Sequence, residues 1–335
     1  MKSSKRILLT GASAGFGLLA ARLLCERGHQ VWGTSRDVSR LPVIENFHPV
    51  ALDLDSLTSI EAGFAQAQRE AGTFDVLINN AGAGVFGPLE SFSDQEFAAQ
   101  LEVLIQGPQR LIRRVLPDMR VRRSGLIINV SSLAGEMPLP FMAPYSISKA
   151  ALSALSEGLV MELAGSGIRV VDLRPGDFQT SFHEATRRLQ SPLDDAYRPN
   201  LERAWHGIDA NMRRAQDPRI VAVTIAHLVD GRVRGPIIAR GDVFQARIAP
   251  FLVRLVPRKW VQWAICVYYG MKPPHYAWCI AIRELRPAVP QALHPPSPSW
   301  PRYPLGYEPP TGTSCDAGGK WRRGASRPRR SVAAG

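Results

Sequence analysis

Cysteine is scarce in this chain: four in 335 residues, Cys25, Cys266, Cys279 and Cys315. They form no CxxC pair, and no Cys/His cluster has metal-ligand spacing. That excludes a disulfide framework and a zinc module, and the expected metal count is none. Long apolar runs are also lacking. The longest, Trp263 to Met271, has nine residues, against about 18 for a membrane-spanning helix. At the N-terminus Lys2, Lys5 and Arg6 flank a short apolar run, Ile7-Leu8-Leu9, and Ala12-Ser13-Ala14 imitates a cleavage site. The run is too short for a secretory signal, so a cytoplasmic protein is expected. No internal repeat is present. Carboxylates are in deficit, 29 against 41 Lys and Arg, leaving a net charge of +12 and a pI near 10.1. Such an excess invites a nucleic-acid or acidic-membrane reading. There is no aromatic–basic RNA motif and no DNA-reading module, however, so no nucleic-acid partner is expected. Half of the excess also sits in residues 283–335, which hold nine cations and three carboxylates.

What is present is enough apolar residue, 45%, to build a core, which rules out a wholly disordered or fibrous chain. Nearly continuous apolar runs of strand length occur at Arg6–Thr10, Gln30–Thr34, Pro49–Asp53, Asp75–Asn79, Gly125–Ser131, Ile168–Arg174 and Pro236–Arg240. Runs of that kind read as strands covered on both faces. Helical patterns lie between them near 16–28, 56–71, 93–118, 144–165 and 218–230. Strand alternating with helix predicts an α/β fold with a parallel, doubly wound sheet. Residues 177–217 lack a strand pattern and read as an excursion with one or two short helices. Residues 246–270 read as a helix or two, interrupted at Pro250 and Pro257. From Pro287 to Pro310 there are nine prolines, followed by a Gly/Arg/Ser-rich end. The expected organisation is one domain over residues 1–282 and a mostly disordered tail over 283–335.

The first strand pattern runs into Gly11-Ala12-Ser13-Ala14-Gly15-Phe16-Gly17, and a helix pattern follows. Glycines at such a turn let the backbone approach a pyrophosphate, and the helix points its free N–H groups and positive dipole end at the phosphates. At the end of the second strand pattern, where an acid would hold the 2′-hydroxyl of NAD, the chain has Ser35 and Arg36. A hydroxyl and a guanidinium suit a 2′-phosphate, which favours NADP; Asp37, one residue on, keeps NAD as an alternative.

Tyr145 and Lys149 are four apart and share a helix face. A tyrosine with an ordinary pKa near ~10 is a poor base at neutral pH, and a nearby ammonium lowers that pKa. Tyr268 and Lys272 repeat the spacing. Only the first pair has a serine, Ser132, thirteen residues upstream at the end of a strand pattern; the matching position before Tyr268 is Leu255. Pro273-Pro274 also ends any helix at Lys272. Tyr268 and Lys272 are therefore read as structural.

Taken together these residues resemble the short-chain dehydrogenase/reductase family in its one-domain form, over roughly residues 5–275. The family's glycine motif matches Thr10, Gly11, Ser13, Gly15, Phe16 and Gly17. Its adenine-side acidic motif matches Asp53 and Leu54, and its Asn-Asn-Ala-Gly motif matches Asn79, Asn80, Ala81 and Gly82. Its serine, tyrosine and lysine match Ser132, Tyr145 and Lys149. The motif after the sixth strand matches Pro175 and Gly176, with Thr180 expected beside the nicotinamide carboxamide. The resemblance implies a Rossmann-type seven-stranded sheet of order 3-2-1-4-5-6-7 and a homodimer or homotetramer. It also implies an oxidoreductase that interconverts a ketone or aldehyde and an alcohol. Tyr145 would be the acid/base, Ser132 would orient the oxygen, and Lys149 would tune the tyrosine and bind ribose. The stretches from Ser132 to Tyr145 and from Pro175 to Phe182 resemble the 17β-hydroxysteroid and retinol dehydrogenase branch, which implies a lipophilic substrate.

The chain departs from the family at Leu104, where an asparagine is usual. Ser132, Tyr145 and Lys149 remain, so activity is expected to survive; a non-catalytic NADP-binding sensor is the competing reading. Phe178, Phe182, Leu189, Trp205 and Met212, with Met137, Leu139, Phe141 and Met142, offer apolar surface for a substrate, about half of it expected to pack the core. The basic, aromatic stretch 247–270 is read as a helix closing the pocket or pairing subunits, in preference to a peripheral membrane contact.

Overall fold

The strand runs are nearly continuous in apolar residues because alternate residues serve two different cores. In the computed structural model Ile7 and Leu9 face one side of a sheet and Leu8 the other; Val76, Leu77 and Ile78 divide in the same way. Residues 4–190 and 194–273 are described, together with 313–315 and 321–323. The sheet strands are β1 Arg6–Leu9, β2 Gln30–Ser35, β3 Phe47–Ala51, β4 Val76–Asn79, β5 Gly125–Val130, β6 Ile168–Pro175 and β7 Ile237–Arg240. Their order is β3-β2-β1-β4-β5-β6-β7, every neighbouring pair parallel. This is the expected topology, a Rossmann-type sheet.

Helices α1 Gly15–Glu26 and α7 Arg219–Val229 cover one face. Helices α2 Leu57–Ala71, α4 Gly107–Val121 and α5 Ala143–Glu162 cover the other. Each fully buried aliphatic side chain in these layers contributes about 2 kcal/mol. Helix α3, Asp94–Leu101, starts at a capping box between Ser93 and Glu96 and meets α4 through a π-helical turn, Glu102–Gln106. Pro108 explains the turn. It has no N–H for the carbonyl four residues back, so the ladder is reset, and Gly107 reaches five residues back to Glu102 instead.

The third strand is offset from its expected position. Phe47 and His48 precede the expected run, yet both lie in β3, and Pro49 is its middle residue instead of its first. β3 is an edge strand, where a missing N–H is tolerated, and His48 stacks on Trp32 of β2 at 4.3 Å between ring centroids.

The excursion corrects the expectation of short helices. A single turn, Phe182–Ala185, and a two-residue strand, Arg187–Arg188, which pairs with Val85–Phe86, precede a 21-residue helix, α6 Asp194–Arg214. Its Arg/Asp/Pro composition hid an apolar stripe at Tyr197, Leu201, Ala204 and Ile208. Leu201 and Ala204 are buried against Phe86 and Met142. Pro250 does not interrupt the next segment either. It falls in the first turn of α8, Ala249–Leu255, which continues from a π-helical turn Phe244–Ile248. As at Pro108, the π-helical turn resets the ladder, and the Ala249 N–H reaches five residues back to Phe244. Pro257 does separate α8 from α9, Arg258–Tyr268.

The chain divides into two units, Met1–Leu285 and Arg286–Gly335. The expected disordered tail lies outside the described residues except for Thr313–Cys315 and Trp321–Arg323, which pair antiparallel. Among the described residues no helix is long and apolar enough to cross a membrane.

Candidate functional site

The turn after β1 is closed by a tight backbone approach. Gly11 adopts φ +70°, and a Cβ there would lie 2.8 Å from the Ala81 backbone. A Cβ on Gly17 would meet the Gly11 carbonyl at 2.0 Å. Thr10 and Asn80 lock the turn to the end of β4. The Thr10 hydroxyl accepts from the Asn80 and Ala81 N–H groups at 2.9 and 3.0 Å. The Asn80 amide donates to the Thr10 and Gly11 carbonyls at 2.9 and 3.2 Å. Helix α1 then begins with no side-chain cap at Ala14 and no acid in its first turn. Its first N–H groups are therefore available to an anion.

This turn opens on a cavity of about 900 Å³ at the C-terminal ends of the strands. Of the residues expected at the site, Gly11, Ser13, Gly15, Phe16, Ser35, Arg36, Asp53, Leu54, Asn80, Ala81, Gly82, Ser132, Tyr145, Lys149, Pro175, Gly176 and Thr180 line it. Thr10 and Gly17 stand behind the wall. Thr180 sits across from Gly15, its side chain 3.7 Å from where a Gly15 Cβ would be. Arg36 is exposed at the β2 end of the cavity, where Arg40 joins it. Asp37 lies between them with its carboxylate accepting from the Ser39 N–H and hydroxyl.

Ser132 leaves β5 and caps a short 3-10 turn, accepting from the Ala134 N–H at 3.1 Å. Its hydroxyl reaches the Pro175 carbonyl at 3.4 Å, and it lines the same cavity as the Tyr145 phenol. Tyr145 is buried in the first turn of α5, its ring against Phe182 at 5.4 Å. Lys149, one turn on, is buried too. Its ammonium donates to the Val130 carbonyl at 2.8 Å and lies 5.7 Å from the Tyr145 ring centroid. Burial pushes the Lys149 amine down to about 8. Burial also pushes the Tyr145 phenol up to about 12, against a lowering by the Ser132 hydroxyl, and the Asp177 carboxylate adds to the rise. This corrects the expectation of a phenol lowered by lysine. In the protein alone the ammonium is spent on Val130, so desolvation of the phenol dominates.

Beyond the tyrosine the cavity is walled by Leu139, Met142, Phe178, Phe182, Trp205 and Met212. Leu189 and Phe141 pack in the interior instead, the latter against Phe86 and Tyr197, and Met137 does not line the cavity. Tyr268 and Lys272 form no second pair: α9 ends at Tyr268, whose hydroxyl contacts Asp177 at 3.4 Å and Gln245 at 3.2 Å.

Lining residues that the sequence did not point to include Arg40, Gln100, Asp177, Asn211 and Tyr269. Asp177 directly follows Pro175-Gly176 and Arg40 stands four after Arg36, signals that were available. Gln100 and Asn211 had none. Each holds a buried amide atom, Gln100 Oε1 and Asn211 Nδ2, without a protein partner. Leu104 is 1% exposed among Phe86, Met142 and Tyr145, and Gln106 turns away to bond Gln109.

An uncapped helix N-terminus, a glycine turn and a cleft at the switch of strand order define a dinucleotide-binding Rossmann protein. Residues 5–190 match the family model for short chain dehydrogenase, and the chain belongs to that family of oxidoreductases. It is 34% identical over 276 residues to 3-ketodihydrosphingosine reductase of Bacteroides thetaiotaomicron, covering 79% of this chain and 98% of that one. It is 38% identical over 238 residues to estradiol 17-beta-dehydrogenase 1 of Rattus norvegicus, covering 64% and 67%. Among solved structures, a short-chain dehydrogenase from Streptomyces avermitilis superposes with a TM-score of 0.68 at 30% identity, covering 77% of this chain and 96% of that one. The closed form of serine dehydrogenase complexed with NADP+ gives 0.60 at 26% identity, covering 71% and 95%.

Proposed function

We propose that the chain is an NADP-dependent reductase and dehydrogenase that interconverts a ketone or aldehyde with the alcohol on a lipophilic substrate. The observation that carries this reading is that Ser132, Tyr145 and, one turn on, Lys149 line one cavity together with the glycine turn and the apolar wall. The names of the sphingosine reductase and estradiol dehydrogenase relatives support a lipid-like carbonyl or alcohol.

The glycine turn and the N-terminus of α1 would hold the pyrophosphate, a role the steric room at Gly11 and Gly17 suits. Arg36 and Arg40 would pair with a 2′-phosphate, while Asp37 is engaged by Ser39 and does not offer itself to a 2′-hydroxyl. The nicotinamide cofactor, when bound, supplies the hydride. Tyr145 gives its phenolic proton to the carbonyl oxygen during reduction and recovers it during oxidation. Ser132 donates a hydrogen bond to the same oxygen and orients it. Lys149, which lines the cavity, would bind a ribose hydroxyl. A phenol near 12 keeps its proton at neutral pH, the form that donates to a carbonyl oxygen.

The test is Tyr145→Phe assayed for NADPH-dependent reduction across a panel of ketones. A loss of at least about 100-fold with NADP binding retained is expected. Equal rates in variant and wild type would sink the reading, and the sensor reading would then take its place.

A further inference from the structure

We propose that the face built by residues 243–268 docks on an anionic phospholipid bilayer. Phe244, Ile248, Phe251, Leu252 and Leu255 recur at helical spacing across the π-helical turn and α8, and all five are exposed. Phe251 is 62% and Leu255 66% exposed. An amphipathic helix of a soluble core turns such a stripe inward; here only Ala249 of α8 is buried. Trp263, Val267 and Tyr268 of α9 continue the apolar surface. The four exposed aromatic side chains among the described residues, Phe244, Phe251, Trp263 and Tyr268, all lie in this segment. A concentration of that kind marks an interaction surface.

The charge on the segment identifies the occupant. Residues 243–273 contain no Asp or Glu and five cations, Arg247, Arg254, Arg258, Lys259 and Lys272. Arg247, Arg254 and Arg258 are exposed. Apolar and aromatic side chains interleaved with cations, on helices too short to span, are the pattern of an interfacial element on acidic lipid. A second copy of the chain would bring the same five cations to the contact. The segment 283–335, itself with nine cations against three carboxylates, would also meet like charge.

The surface adjoins the cavity. Tyr269, next to the last residue of α9, lines it, and Tyr268 contacts Asp177 on its wall. A lipophilic substrate could thus pass from bilayer to cavity; that consequence rests on the proposed function, whereas the docking does not.

The test uses the full chain and vesicles of phosphatidylcholine with and without phosphatidylglycerol. Co-sedimentation with the phosphatidylglycerol vesicles, weakening as salt rises, is expected. The double variant Phe251→Glu, Leu255→Glu should bind at least about tenfold more weakly with an unchanged melting temperature and unchanged turnover of a water-soluble ketone. Phe244→Ser with Val267→Ser is the second variant, should the first fail to fold, and should also weaken binding. Failure of the wild type to bind, or equal binding by wild type and folded variants, overturns the proposal; equal binding would assign the attraction to cations elsewhere. A change of oligomeric state in the variants without a loss of lipid binding overturns it in favour of a self-association surface. Absence of ketone turnover in every form would count against the proposed reaction and leave the lipid result standing.

Discussion

Leu104 is pressed against Gly82: its Cδ2 lies 3.1 Å from where a Cβ on Gly82 would be. The side chain at the family's usual asparagine position therefore serves as packing under the wall of the cavity, beside Phe86, Met142 and Tyr145. Leu104→Ala should lower stability by about 2–5 kcal/mol, measured by urea denaturation. Turnover by the folded fraction should stay within about tenfold of wild type. A folded Leu104→Ala protein without activity would assign the leucine a part in the reaction.

Lys149 is costly to the fold. Burial depresses its amine to about 8, below the ~10.4 of the unfolded chain. The fold thus favours the neutral form. The stability associated with that form is fully present above about 10.4, and it is lost as pH falls through about 8. Lys149→Met should be more stable than wild type at pH 7, by roughly 3 kcal/mol at most since one pKa unit is about 1.4. The gap should narrow as pH rises from 8 to 10. Denaturant titrations across this range decide it, and a gap that widens with pH would contradict the depressed amine. The same variant should lose carbonyl reduction.

Tyr145 has the opposite sign. With the phenol pushed up to about 12, above the ordinary ~10, its contribution is intact below pH 10 and lost as pH rises through 12. Alcohol oxidation, which needs the phenolate, should climb steadily from pH 7 to 10, while carbonyl reduction stays nearly level. An oxidation profile already flat at pH 7 would mean that the bound cofactor lowers the phenol below that pH.

Arg36 and Arg40 border the same end of the cavity. Arg36→Ala should raise the KM for NADPH about 10–100-fold, the loss of a charge-assisted hydrogen bond, and leave that for NADH nearly unchanged. The double variant with Arg40→Ala should go further. Equal effects on both cofactors would remove the case for a 2′-phosphate.

Arg174 is 4% exposed and holds three carboxylates: Asp172 at 2.6 Å, Glu157 at 2.7 Å, and Glu136. Asp172 in turn accepts from the Ser131 hydroxyl, next to Ser132. Arg174→Met strands the fully buried Asp172 and should lower stability by about 3–5 kcal/mol. Adding Asp172→Asn should restore part of that. No recovery in the double variant would mean that the guanidinium packs more than it pairs.

The order and type of the sheet elements were legible because both faces of the sheet are covered. A strand that feeds two cores is apolar along most of its length, and β1, β4 and β5 read that way directly. The glycine turn was legible because Gly11 and Gly17 have no alternative at approaches of 2.8 and 2.0 Å. Helix α6 was not, because its hydrophobicity is low and its few apolar residues matter only against Phe86 and Met142, far away in the chain.

Local sequence thus determined the parallel sheet, the glycine turn and the shared helix face of Tyr145 and Lys149, since each rests on periodicity or on steric limits within a few residues. Tertiary structure alone decided the protonation of those groups. The Lys149 ammonium goes to the Val130 carbonyl and the Tyr145 side chain is buried, so desolvation, a property of the whole surroundings, dominates the phenol. Tertiary structure also decided that the stripe from Phe244 to Leu255 faces outward, because whether an apolar face is buried depends on what the rest of the fold leaves to cover it.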